Sequence, residues 1–326
     1  MRAILIDRFG GPDVMHMAEV PVPAIDADDV LIRVVCASAN PADWKCREGW
    51  LNKLGHFHGS LPHVLGFDAA GTVEKVGANV KDFRPGQRVY TFCNQGTGRW
   101  GSYAEFVAAT QATVAPMPDA LGFAEAAAIP TAGLTAWQGL FDVGGTKAGD
   151  KVLVHGGAGG VGSYGIQFAR MAGAEVATTC GTANVDYVRG LGAARAIDYR
   201  TEDVAAAVQA WAPGGVDVLL DSIGLNTLPG AIDMVRPGGA LVNVATLADI
   251  AGPDAERAKK RGIRMIDFAG KRRDLAQEDM IQIAAAHADG RVRPPAIRVF
   301  PLEQIAEVHR LLEAGHVRGK LVLQVA

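Results

Sequence analysis

A β-rich run, Lys151-Val152-Leu153-Val154-His155, passes directly into Gly156-Gly157-Ala158-Gly159-Gly160-Val161-Gly162, and a helical stretch from Ser163 to Met171 follows. Gly157, Gly159 and Gly162 match G-x-G-x-x-G in the setting, between strand and helix, where that spacing binds a dinucleotide. The three glycines then serve a tight turn, backbone approach to a pyrophosphate, and close packing of helix on strand. Free N–H groups at the helix start receive phosphate oxygens, with Gly160 and Val161 completing the loop.

The surroundings supply the rest of the fold. Strands are expected at Lys151–His155, Glu175–Thr179, Ala194–Ile197, Val216–Asp221, Ala240–Ala245 and Arg264–Phe268, with helices between them. Six apolar strands joined by helices make a doubly wound parallel sheet, because parallel crossovers need a helix. Upstream, Val30–Cys36, Ala69–Val76 and Arg88–Phe92 alternate with turn signals such as Gly10-Gly11-Pro12 and Arg84-Pro85-Gly86-Gln87, which reads as an irregular β-barrel or sandwich. Leu121–Phe141 is alanine-rich and partly helical, and the tail reads strand, helix (Leu302–Ala314) and strand (Leu321–Val325). The tail returns to complete the first domain, with Pro294-Pro295 as a stiff boundary.

With 326 residues the chain is long enough for two domains. Its 32 basic and 35 acidic residues leave a formal charge of 32 − 35 = −3, which argues against a nucleic-acid or anionic-membrane partner and for a small molecule. Ala3–Ile6 is too short for a signal peptide, and the apolar stretch Phe123–Phe141 is broken by Glu125, Pro130 and Gln138, so no membrane segment is expected. Cys36, Cys46, Cys93 and Cys180 form no C-x-x-C pair and no disulfide scaffold, which points to the reducing cytoplasm.

Cofactor choice turns on the end of the second strand. An acidic residue there holds the ribose hydroxyls of NAD. This chain has Cys180-Gly181-Thr182-Ala183-Asn184, with no carboxylate before Asp186, so NADPH is expected, with Thr182, Tyr199 and Arg200 as candidates for its 2′-phosphate.

Several stretches, in order, carry a resemblance: Ala39-Asn40-Pro41-Ala42-Asp43-Trp44-Lys45, Pro62-His63-Val64-Leu65-Gly66-Phe67-Asp68-Ala69-Ala70-Gly71, Gly101-Ser102-Tyr103-Ala104-Glu105, Ile129-Pro130-Thr131-Ala132-Gly133, the glycine loop, and Gly319-Lys320-Leu321-Val322. Together they cover essentially the whole chain. It resembles the zinc-independent medium-chain dehydrogenases/reductases of the quinone oxidoreductase (zeta-crystallin-like) group. The resemblance implies an α/β architecture: a GroES-like β-rich catalytic domain at 1–120 and 294–326, and a Rossmann domain with a doubly wound parallel sheet at 121–293. In zinc-dependent relatives the metal-ligand positions match Asn40, Phe67 and the neighbourhood of Thr131, none of which makes a zinc ligand set, so no metal is expected. His56, His58 and His63 cluster without a cysteine beside them and read as loop residues. One departure bears on the phosphate pocket: some relatives carry a lysine where this chain has Asn184 or Val185.

Without a metal, an alkoxide loses its main stabiliser, whereas hydride delivered to a quinone or an α,β-unsaturated carbonyl compound leaves a delocalised anion. The resemblance implies Asn40, Asp43, Lys45 and Thr131 as catalytic residues: Asn40 and Lys45 toward the substrate oxygen, Thr131 toward nicotinamide or substrate, and Asp43 orienting Lys45 or its loop. Trp44, Trp50, Phe92 and Trp100 are candidate walls for a flat substrate. The alternatives are a relative of the zinc alcohol dehydrogenases and an NADPH-binding protein with a structural or regulatory role. The apolar run Gly262–Phe268, as the last strand of the sheet, points to a homodimer formed edge to edge.

Overall fold

A computed structural model describes residues 1–53, 59–93, 99–245, 253–268 and 274–326. The chain divides into two compact units, one of Met1–Thr131, Arg273–Asp289 and Pro294–Ala326, the other of Ala132–Arg272 and Gly290–Arg293.

The first unit begins with eight strands: β1 (Arg2–Ile6), β2 (Met15–Glu19), β3 (Asp29–Ala39), β4 (His63–Val64), β5 (Asp68–Val76), β6 (Arg88–Phe92), β7 (Phe106–Thr110) and β8 (Val114–Pro116). β3 is the spine. Of its residues only Arg33 and Val35 are not buried, and it pairs antiparallel with β5 and β7. Two register shifts against β5 let it bend, as a barrel wall must. Where β5 crosses β3, Gly71 lies so close that a Cβ would stand 2.0 Å from the Arg33 carbonyl oxygen, so only glycine fits. Ile4, Ile6, Ile32, Val34, Leu65, Val89 and Val107 fill the core between these strands.

The second unit holds β9 (Lys151–His155), β10 (Glu175–Cys180), β11 (Arg195–Asp198), β12 (Val216–Asp221), β13 (Val235–Asn243) and β14 (Arg264–Asp267). All pairings are parallel, in the order β11-β10-β9-β12-β13-β14. Counted from β9 this is 3-2-1-4-5-6, the doubly wound order, whose switch point lies between β9 and β12. β13 starts five residues before the expected Ala240, because Val235 pairs with Val216 ahead of a register shift that absorbs the Pro237-Gly238-Gly239 turn. The helix after β9 spans Gly160–Met171, three residues earlier than the side chains suggest, since glycines hide a helical turn from pattern reading. No helix among the described residues is long and apolar enough to cross a membrane.

The tail adds β15 (Ile297–Pro301), the helix Ile305–Glu313 and β16 (Lys320–Gln324) to the first unit. β16 pairs antiparallel with β3 and parallel with β15, giving the sheet order β15-β16-β3-β5-β6-β8. The helix Ala276–Ala288 also belongs here: Tyr90 donates its hydroxyl to the Met280 carbonyl at 2.5 Å, and Gln277 Nε2 donates to the carbonyls of Gln111 and Val114.

A fully buried arginine ties the tail helix to the start of the chain. Arg47 donates to Gly10 O at 2.8 Å, Glu313 Oε1 at 2.7 Å, Glu48 Oε1 at 3.1 Å and His309 Nδ1 at 3.0 Å. A guanidinium can only donate, so His309 Nδ1 accepts and its proton sits on Nε2, 3.4 Å from the Tyr103 hydroxyl. Burial, with the Arg47 charge, pushes the imidazole down to about 3, which keeps it neutral.

Candidate cofactor and substrate sites

The glycine loop divides its work differently from the motif alone. The positive φ of +86° falls on Gly156, outside the three motif glycines. A Cβ on Gly157 would lie 2.0 Å from Thr178 Oγ1, and one on Gly162 would lie 2.2 Å from Gly156 O, so both are held by close packing. Gly159 caps the helix with nothing nearer than 3.6 Å to its Cβ position, which leaves the approach to the helix end open. The first helical bond runs from Ser163 N to Gly159 O, so the N–H groups of Gly160, Val161 and Gly162 are those available to phosphate.

Beside the loop, His155 at the end of β9 is bonded to the end of β10 and to the turn Leu225–Thr227 that follows β12. Thr179 Oγ1 accepts from Gly156 N at 3.0 Å and lies 2.7 Å from His155 Nδ1, while His155 Nε2 lies 2.9 Å from Thr227 Oγ1. Thr227 spends its proton on Gly224 O at 2.7 Å, so it accepts from Nε2–H, and the Thr179 hydroxyl donates to Nδ1. Burial lowers the His155 pKa, partly opposed by the charge of Asp221. Sequence reading missed this histidine, since only the strand register shows what flanks it.

At the end of β10, Tyr199 and Arg200 converge on Gly181: a Cβ there would meet Tyr199 Oη at 3.2 Å and Arg200 Nε at 3.3 Å. Thr182 opens a short 3-10 turn beside them. A carboxylate also stands there. Asp198 ends β11 in register with Cys180, and its Oδ1 accepts from Arg200 N at 3.1 Å. A hydrogen bond from the Thr182 hydroxyl is the main cause holding the Asp198 carboxyl below the usual range.

Asn40 and Thr131 meet at Asp68 in the first unit. Its Oδ2 accepts from Ser38 Oγ at 3.0 Å and Asn40 Nδ2 at 2.9 Å; its Oδ1 accepts from Thr131 N at 2.9 Å and Thr131 Oγ1 at 2.5 Å. The Lys320 ammonium lies 3.6 Å away and donates to Ala39 O at 3.2 Å and to Asn40 Oδ1. The second amide hydrogen of Asn40 is directed to Ser38 O at 3.4 Å, so the Asn40 amide is engaged on both its oxygen and its nitrogen. Asp43 accepts from Asn40 N at 2.7 Å, closing the N-terminus of the helix Pro41–Arg47. Burial, then the neighbouring Asp68 charge, pushes Asp43 up to about 7. Asp68 and Lys320 escaped sequence reading, though an aspartate and a lysine inside apolar strand sequence were a signal that each is buried with a partner.

Lys45 stands apart from this cluster. It is partly buried, its ammonium is 5.7 Å from the Trp44 ring, and burial lowers its pKa. The expected aromatic wall divides: Trp44 packs edge-on against Trp50 at 6.0 Å, Phe92 stacks on Phe67 at 5.8 Å, and Trp100 lines a separate groove of about 450 Å³ with Pro21, Pro23 and Arg99. His56 and His58 lie outside the described residues, and His63 is buried in β4.

These donors do not fit a catalytic zinc. Phe67 offers a phenyl ring, Asn40 and Thr131 are bound to Asp68, and a lysine ammonium already lies against that carboxylate.

Residues 26–119 match the alcohol dehydrogenase GroES-like domain, and residues 191–323 match the zinc-binding dehydrogenase family. The NADPH-dependent alkenal/one oxidoreductase of Arabidopsis thaliana chloroplasts is 34% identical over 99% of this chain and 79% of its own. The quinone oxidoreductase of Lama guanicoe is 31% identical over 99% and 97%. Among solved structures, the quinone oxidoreductase of Coxiella burnetii superposes with a TM-score of 0.88 at 34% identity, over 100% and 99% of the two chains. The quinone oxidoreductase of Escherichia coli complexed with NADPH superposes with 0.86 at 26%, over 100% of both.

Lys320→Met leaves the Asp68 charge buried without its cation and is expected to cost about 3–5 kcal/mol, read by denaturant unfolding. Adding Asp68→Asn should recover part of that loss, because the charge is gone while only one of the two acceptor oxygens remains. A single variant as stable as the parent would show that the pair does not hold this region together.

Proposed function

Since the chain belongs to the quinone oxidoreductase group of the medium-chain dehydrogenases/reductases, we propose that it is an NADPH-dependent oxidoreductase that reduces quinones or α,β-unsaturated carbonyl compounds without a metal. The observation that carries this reading is that one chain holds both a dinucleotide loop and, in its other unit, a donor region built on Asp68 and Lys320 in place of zinc ligands. NADPH, when bound, supplies the hydride. Gly160, Val161 and Gly162 hold its pyrophosphate, and Tyr199 and Arg200 face its 2′-phosphate. Lys45, lightly hydrated and cationic, stabilises the enolate-type anion of the product. Asn40 and Thr131 act by fixing the surface through Asp68, and Asp43 orients the loop that carries Asn40.

NADPH oxidation should be followed with a panel of 1,4-quinones, enones and enals in a chelator, and NADP⁺ reduction with simple secondary alcohols. Turnover of a quinone or enone and none of the alcohols is expected. NADPH binding with no turnover across the panel would make the protein a cofactor-binding one, and alcohol oxidation lost to the chelator would make it a zinc enzyme.

The phosphate assignment has its own test. A charge-assisted bond from arginine contributes roughly 1.5–3 kcal/mol. Arg200→Ala should weaken NADPH binding about ten- to a hundredfold in a calorimetric titration and leave NADH unchanged; equal losses for both would remove Arg200 from this role.

We also propose a homodimer in the cytoplasm. β14 is the edge of its sheet among the described residues, bonded on one side to β13, and a second copy satisfies the other side. The four cysteines are free and buried, which suits a reducing compartment. Light scattering at micromolar concentration should give twice the 34.1 kDa chain mass; a clean monomer would count against the edge-to-edge pairing.

A further inference from the structure

The residues between β10 and Asp186 include no carboxylate, which favours NADPH, yet the fold returns one to that place from the next strand. Parallel pairing sets Thr179 beside Ile197 and Cys180 beside Asp198. The Asp198 carboxylate accepts from Arg200 N, and the Thr182 hydroxyl hydrogen-bonds to it. Thr182 therefore has its one hydroxyl proton committed to a carboxylate and is not a free donor for phosphate. The Arg200 backbone is set by the same group, and its side chain reaches the Gly181 side of the pocket beside Tyr199 Oη.

Resting on the assignment of Tyr199 and Arg200 to the 2′-phosphate, we propose that Asp198 sets how strongly this protein prefers NADPH to NADH. It orients Arg200 and Thr182, and its charge repels the phosphate that Arg200 attracts. Its neutral donors satisfy the carboxylate oxygens without cancelling the charge, and the Arg200 guanidinium is the cation that opposes it. A ribose phosphate monoester carries close to two negative charges at neutral pH, whereas the free 2′-hydroxyl of NADH carries none, so the repulsion falls on one cofactor only. The preference is thus smaller than the arginine alone would give.

Asp198→Asn separates the two actions, because the amide oxygen still accepts from Arg200 N while the charge is gone. Dissociation constants for NADPH and NADH, read by calorimetry in the absence of substrate, should show NADPH tighter by roughly three- to tenfold and NADH within about twofold. The gain should shrink as salt is raised to about 0.5 M, where the Debye length falls below the size of the pocket. Asp198→Ser, which keeps a short acceptor and removes the same charge, is expected to act alike and serves if the amide variant melts early. An unchanged NADPH constant, a gain equal for both cofactors, or a gain indifferent to salt would overturn the proposal. Loss of the proposed phosphate site is a separate result: wild-type protein binding both cofactors equally, with Arg200→Ala silent, would strike at the pocket assignment and not at Asp198 alone.

Discussion

The Asp68 carboxylate is the junction on which the first unit depends. Its two oxygens receive Ser38 and Asn40 from β3 and its end, Thr131 from the start of the helix Pro130–Gln138, and the ammonium of Lys320 from β16. A buried carboxylate is tolerated only when its lone pairs are occupied and its charge is met, and here both conditions are satisfied by residues distant in sequence. Side chains that would otherwise be free to rotate are therefore fixed by hydrogen bonds and charge. The arrangement also explains why Asn40 and Thr131 are nearly buried: they belong to the floor of the region more than to its face.

The polar interior continues behind that junction. Two carboxylates, Asp43 and Asp68, share the neighbourhood of the Lys320 ammonium, and burial, then the Asp68 charge, moves the Asp43 carboxyl toward neutrality. Past Tyr103, a neutral His309 accepts from the Arg47 guanidinium, which also donates to Gly10, Glu48 and Glu313. Each group's protonation follows from its neighbours, so these contacts specify one packing of the tail helix on the helix Pro41–Arg47. A hydrophobic interface of the same area would permit several.

Much of this was legible in the residues. The six strands of the doubly wound sheet lie within a few residues of where apolar runs and turn signals put them, because buried parallel strands leave an uninterrupted apolar mark. The glycine loop was equally plain, although the tight turn belongs to Gly156, which the motif does not name. What sequence could not supply was lateral adjacency. Asp198 and Cys180 are eighteen positions apart and become neighbours through strand register alone, so a scan along the chain for an acidic residue passes over the one that stands beside the end of β10. The partners of Asp68 were hidden for the same reason, while the split of the four aromatic candidates into separate places reflects loop geometry that side-chain type does not encode.

The pairing of β16 with β3 has a consequence for how the molecule comes together. Lys320 meets Asn40 across 280 positions, and between them lies the whole of the second unit, which is assembled from one unbroken stretch and four further residues. During synthesis the second unit has its six strands in hand while β3 still offers an open flank and Asp68 still lacks its cation. The earlier-made part of the protein is thus the later to be completed, and closing its longest loop becomes a late and entropically costly step. Shortening the chain by even its final strand would leave that part with an exposed β edge and a buried, unanswered charge.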